Sequence, residues 1–161
     1  MREVLEEPII ENILISKKVG VLGIDSLKKL LTTHEQEIFM LLYEKGALST
    51  RATRTKLIGN KVQYFIEFLS TMNRSKEKEN LSNICKEFKN GKISFTKYVE
   101  IIEESMKKNN FPVLSYEKVV NILNSLNGIG LITKRHDPSK NAKYLWVVNP
   151  NYLLALEESK T

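Results

Sequence analysis

Two groups of side chains in this chain have the chemistry to read or grip an anionic polymer. The first lies along residues 115–127, SYEKVVNILNSLN. At 100° per residue Glu117, Lys118, Asn121, Asn124 and Ser125 share one arc, and Val119, Ile122, Leu123 and Leu126 the opposite one. A carboxamide can pair bidentately with adenine, and a Lys ammonium reaches guanine or phosphate, so Asn121, near the centre of the arc, is the candidate base contact. Ser115 and Tyr116 begin the same stretch. The second group is Lys134, Arg135, Lys140 and Lys143, which bracket a polar loop and are opposed only by Asp137. Cations on such a tip suit phosphate neutralisation or minor-groove entry. A solvated helix face and a charged solubility loop give the same patterns. Their adjacency in the chain favours the functional reading.

The elements that must position these groups are legible. Ser115 is a good N-cap, and Gly128 and Gly130 stop the helix. Leu131, Ile132 and Thr133 start a strand, HDPSKNAK forms a loop, and residues 144–148 return antiparallel. A helix followed by a basic hairpin is the reading half of a winged helix-turn-helix, which places the helix in a DNA major groove and the hairpin on the flanking backbone. Tyr144 and Trp146 recur at period two on the return strand and are expected in core or dimer packing before base stacking. A further basic cluster, Arg51, Arg54 and Lys56 with Lys61, reads equally as a second phosphate-contacting site and as a mobile basic loop. Residues 47–59 are expected to form a short helix or a loop.

At 161 residues the chain is long enough to bury a core without staples, and 42% hydrophobic with 27% charged residues is the balance of a soluble globular protein. No apolar run spans a bilayer, the acidic start MREVLEEPII lacks a signal-peptide pattern, and a cytoplasmic location is expected. The net charge of +6 is uneven: residues 45–76 alone carry seven basic and one acidic residue, residues 1–44 five and eight. Such asymmetry suits a polyanion-facing surface, although basic stretches are often only solvated faces.

Catalysis is not expected. The nearest string to a phosphate-binding loop, NGKIS, lacks the first glycine and a preceding strand, and no G-x-S-x-G or H-E-x-x-H occurs. Glu103 and Glu104 read as a solvated acidic pair. Cys85 lies in an i, i+3, i+4, i+7 stripe with Leu81, Ile84 and Phe88, the setting of a core thiol rather than a nucleophile. His34 and His136 are isolated, so no structural metal is expected, nor a cofactor, a small-molecule ligand or a membrane partner.

The rest of the chain reads as helices. One candidate covers residues 9–16, and Asp25 caps a short helix reaching Leu31. Thr33 with Gln36 forms a capping box for a helix carrying Ile38, Leu41 and Leu42. Asn60 caps an amphipathic helix with Val62, Phe65, Ile66, Leu69 and Met72 on one face. Tyr64 and Phe68 widen that face beyond one core contact, so these residues form a candidate homodimer surface, with covering by the residue 81–88 helix and the N-terminal extension as the alternative. Ser94 caps a helix through Met106, and Pro112 breaks the chain before Ser115. Pro150 restarts it into a short terminal helix.

Two blocks, DSLKKLLTTHEQEIFMLLYEKG and ISFTKYVEIIEESMKKNNFPVLSYEKVVNILNSLNGIGLITKR, together about 65 residues, resemble the C-terminal winged-helix domain of the archaeal origin-recognition and cell-division-control initiators. That family's Leu-x-x-His-Glu helix start is matched at Leu31, His34 and Glu35, its Tyr- and Glu-rich helix at residues 98–108, its Leu-Ser at Leu114 and Ser115, and its Leu-Gly-Leu-Ile ending at Gly130, Leu131 and Ile132. The resemblance implies duplex DNA binding in origin recognition, with transcriptional control as the neighbouring reading. Tyr116 and Glu117 stand where the family commonly has basic residues or Gln, and the initiators' ATPase module has no counterpart in these residues, as expected of a fragment or a stand-alone winged helix. The architecture expected is mostly α with one small antiparallel hairpin: an extension over residues 1–24, a winged helix over 25–149 with an insertion at 47–92, and a C-terminal helix or tail over 150–161. A winged-helix docking module that binds protein and not DNA is the competing expectation.

Overall fold

The computed structural model describes residues 23–159, so the candidate helix at residues 9–16 and nearly all of the expected extension lie outside it. Among the described residues the protein is mostly helical with one two-stranded antiparallel sheet. The helices are α1 (Ile24–Lys28), α2 (Thr33–Lys45), α3 (Thr50–Asn60), α4 (Val62–Thr71), α5 (Ser75–Lys89), α6 (Phe95–Lys108), α7 (Tyr116–Gly128) and α8 (Pro150–Ser159). The hairpin strands are β1 (Ile132–His136) and β2 (Tyr144–Val148).

Several boundaries differ from the sequence reading for identifiable reasons. The α1 helix starts before Asp25, with Gly23 at its N-cap, and stops at Lys28. The box that opens α2 is Thr32 with Glu35, one residue earlier than Thr33 with Gln36: the Glu35 N–H donates to Thr32 Oγ1 (3.2 Å) and the Thr32 N–H to Glu35 Oε1 (3.0 Å). Residues 50–60 are fully helical, because Ser49 caps α3 by accepting from the Ala52 N–H (3.1 Å). Asn60 ends α3 and caps nothing; Lys61 makes the joint to α4, its N–H donating to the Ile58 carbonyl (3.0 Å). Residues 75–80, which precede the helix expected at residues 81–88, are the opening turns of α5. Ser94 caps α6, accepting from the Lys97 N–H (3.1 Å).

The described residues divide into two compact units, one made of the residues up to Thr53 and those from Tyr116 on, the other Arg54–Ser115. The second unit is therefore a continuous stretch that interrupts the first. It begins later and ends later than the insertion read at residues 47–92, since α6 belongs to it as well.

In the first unit α2 packs against α7 and β2, and α7 against β1. Ile38, Phe39, Leu42, Val119, Leu123, Leu126 and Trp146 are buried there. The hairpin pairs Ile132 with Val148, Lys134 with Trp146 and His136 with Tyr144, and Leu48 adds an antiparallel bridge to Trp146. Gly130 ends the α7 segment in the left-handed region (φ 83°), which lets the Leu131 N–H reach back to the Leu126 carbonyl (3.1 Å). Asn149 then stitches the base of the hairpin, its Nδ2 donating to the Gly130 carbonyl and its N–H to that of Leu131, both at 2.8 Å.

The second unit has its own core, built on Phe65, Leu69, Leu81, Val99, Ile102 and Met106. Phe68 and Phe111 pack against it with ring centroids 5.3 Å apart, and Phe88 stacks on Tyr98 at 4.5 Å. Cys85 is half-buried here, 3.5 Å from the Tyr98 hydroxyl.

Candidate nucleic-acid interface

Helix α7 owes its orientation to its apolar stripe. Val119, Leu123 and Leu126 are fully buried, and Ile122 nearly so. One polar contact adds to the packing: Ser125 Oγ donates to Glu35 Oε2 (3.0 Å), while the other oxygen of that buried carboxylate completes the α2 capping box. Ser125, expected on the DNA-contacting face, is thus turned inward to α2. Tyr116, Glu117, Lys118, Asn121 and Asn124 are exposed, and Ser115 precedes the first residue of the helix. The face predicted from the 100° projection therefore holds, short of Ser125.

The hairpin sorts its cations by strand register. Lys134 sits across from Trp146 on the face that meets the core, and its ammonium lies 4.5 Å from the Tyr144 ring centroid and 5.4 Å from that of Trp146. These distances are within cation–π range. Trp146 is buried and its Nε1 donates to Thr50 Oγ1 (3.0 Å), so it is core. Arg135, one residue on, points to the opposite face of the two-stranded ribbon, paired with Leu145. Lys140 and Lys143 are exposed in the loop.

Asp137 organises that loop. Its carboxylate accepts from the Ser139 hydroxyl (2.7 Å), the Ser139 N–H (2.9 Å) and the Ala142 N–H (2.9 Å). The Ser139 hydroxyl is the main cause of a carboxyl pKa held below the usual range; burial opposes the shift, and the two N–H groups and His136 support it. Lys140 adopts a left-handed conformation (φ 61°) at the apex. The sequence reading counted Asp137 only as opposing charge. The Asp-x-Ser spacing of an Asx turn was the signal for its role.

The third basic cluster is divided between the two units. Arg51 is exposed on α3 and belongs to the first unit, whereas Arg54, Lys56 and Lys61 belong to the second. Arg54 is tied down: Nη1 and Nη2 donate to the two oxygens of Glu103, each at 2.9 Å, and Nε to the Leu114 carbonyl at 2.9 Å. Lys107 Nζ also reaches Glu103 (2.7 Å). Glu103 is therefore the hub of an ion network rather than half of a solvated acidic pair. The Arg54 guanidinium lowers its pKa to about 2, with burial opposing and Lys107 assisting. Lys56 lies over the Phe95 ring (5.4 Å) and Lys61 over Tyr64 (5.5 Å).

The expected dimer surface is mostly interior. Phe65 and Leu69 are fully buried and Phe68 is half-buried against Phe65 and Phe111; of that group only Tyr64 and Met72 stand exposed. The unit's own helices cover the face. No described helix is long and apolar enough to cross a membrane. No family model, no characterised protein and no solved structure matches the chain.

Proposed function

We propose that this protein is a non-catalytic, double-stranded DNA-binding winged helix that reads sequence with α7 and grips the backbone with its hairpin. The observation that carries the reading is the occurrence, on one unit, of an outward helix face bearing Lys118, Asn121 and Asn124 and a hairpin whose Lys134, Arg135, Lys140 and Lys143 pair with no carboxylate among the described residues. Unneutralised cations on a tip fixed by Asp137 suit counterion-releasing contact with phosphates. Through its resemblance to the archaeal initiators, the protein takes part in replication-origin recognition, with transcription regulation as the neighbouring role, in the cytoplasm.

Selection of a bound site from a random duplex pool tests this directly. On the selected site Asn121→Ala weakens binding by roughly 1–3 kcal/mol and leaves random duplex nearly unaffected. Replacing Lys134, Arg135, Lys140 and Lys143 together with Ala weakens all duplexes alike and flattens the salt dependence by about 0.9 for every phosphate no longer neutralised. Unchanged duplex affinity in that variant sinks the role of the hairpin.

One observation favours a second reading, a docking module for protein. Tyr116 is more than half exposed beside the exposed carboxylate of Glu117 at the start of α7, and a carboxylate there is unfavourable next to phosphate. A docking module elutes early from an anionic polymer column and shifts no duplex at any salt concentration.

A further inference from the structure

A cluster of lysines, interrupted by Glu87 and bordered by Glu100, lies in the second unit around the turn between α5 and α6. Lys86 and Lys89 end α5, Lys92 follows Gly91 in the turn, and Lys97 stands in the first turns of α6. Lys56 approaches the same place from α3, its ammonium over the ring of Phe95. Gly59, one turn further along α3, keeps that approach close: a Cβ there would come within 3.2 Å of the Phe95 ring.

The backbone beneath these lysines is fixed. The Lys92 N–H donates to the Glu87 carbonyl (2.9 Å) across a left-handed Gly91 (φ 74°), and the Phe88 ring meets Phe95 at 5.7 Å and Tyr98 at 4.5 Å. Lys86, Lys89, Lys92 and Lys97 are exposed, and none of the five pairs with a carboxylate among the described residues. Lys86 and Lys89 gain from the partial negative charge at the carboxyl end of α5, but Lys56, Lys92 and Lys97 gain nothing from it. Like charges gathered on a rigid turn repel one another, and an external polyanion relieves that repulsion.

We propose that the α5–α6 turn is a second phosphate-contacting surface, which engages the backbone of double-stranded DNA without reading its sequence. The inference rests on the reading of the first unit as a duplex binder, but its residues and its test are separate. Backbone contact asks only for cations at reachable positions. All the cations of the turn are lysines, which meet phosphate as point charges, and Asn90 is its one carboxamide.

The experiment measures duplex DNA affinity against salt concentration for the intact chain, for a variant with Lys86, Lys89, Lys92 and Lys97 all replaced by Gln, and for the hairpin alanine variant. All four turn lysines are exposed, and circular dichroism with thermal unfolding checks that the replacements leave the fold intact. The Gln variant is expected to flatten the slope of log affinity against log salt by about 0.9 for each phosphate it ceases to neutralise, and to weaken selected and random duplexes by the same factor. Replacing the four lysines by Arg restores the slope. An unchanged slope in the Gln variant, with a flattened one in the hairpin variant, overturns this inference and leaves the first-unit reading standing. A flattened slope in the Gln variant alone upholds the turn and overturns the hairpin. Loss of slope on duplex RNA but not on duplex DNA, or no duplex binding by the intact chain, overturns the proposal.

Discussion

A guanidinium that donates to both oxygens of one carboxylate and to a main-chain carbonyl has committed three of its five donors, and Arg54 is in that position. From sequence it was one cation among several; its partner, Glu103, lies 49 residues away and no local pattern joins them. The pair makes a pH-dependent contribution to stability. The Glu103 carboxyl ionises at about 2 instead of 4.5. A carboxyl lowered on folding adds stability that is fully present above its unfolded pKa and disappears as pH falls toward the folded value. The wild type should therefore lose up to about 3 kcal/mol between pH 4.5 and 2 from this site. Urea unfolding over that range checks it: Glu103→Gln should have a visibly flatter pH profile, and parallel profiles for the two proteins would discard the assignment. Asp137 makes the same kind of argument on a loop. Asp137→Ala removes the acceptor shared by the Ser139 and Ala142 amides, so both should lose hydrogen-exchange protection while the β1–β2 amides keep theirs. Retained protection at Ser139 would mean that the backbone, not the carboxylate, sets the loop.

Elements were legible in proportion to how strongly one face is apolar. The stripe of Val119, Ile122, Leu123 and Leu126 and the period-two hairpin contain enough buried residues to fix both type and orientation. The α3 helix is mostly polar and its sequence reads as a short helix or a loop alike, because its order comes from the Ser49 cap and from Thr50 and Thr53, which are buried. The start of α5 failed for the same reason, with SKEKEN offering no apolar stripe until Leu81. The α4 helix shows the limit of a face argument. Its breadth was visible, but the sequence left open whether another copy or the same chain covered it. Phe65 is fully buried against Phe68 and Phe111, whereas Tyr64, its immediate neighbour, is 61% exposed. Phe65→Ala should therefore cost about 3–5 kcal/mol by cavity formation, and Tyr64→Ala about 0.5 kcal/mol or less. Chemical denaturation decides between them. A Phe65→Ala protein of wild-type stability would return that side chain to the surface.

The candidate interface was legible for the converse reason: exposed residues on a helix of known orientation can be projected from sequence alone. Its exceptions, Ser125 turned to Glu35 and Lys134 laid on Tyr144 and Trp146, depend on partners brought together by the fold.

At the scale of the whole molecule, the first unit is assembled from two stretches separated in sequence by a unit with its own core. Phe65, Leu69 and Ile102 are buried in a cluster of second-unit residues; the hairpin is held by Leu48, Thr50 and Asn149, all of the first unit. Separate cores tend to open as separate cooperative units, and a single unfolding free energy then ceases to describe the chain. Ile102→Asp sets this property against its alternative. A carboxylate forced into that core must be desolvated or protonated, and either costs several kcal/mol, enough to melt a small helical unit. Amides of α4, α5 and α6 should then exchange freely, while the Trp146 N–H, bonded to the Leu48 carbonyl at 2.8 Å, stays protected. If the hairpin grips duplex DNA as proposed, its part of the salt slope should survive, because its cations are carried by the unit that remains folded. If the Trp146 amide loses its protection together with those of α4–α6, the two units unfold as one and the intervening stretch is integral to the stability of the first unit.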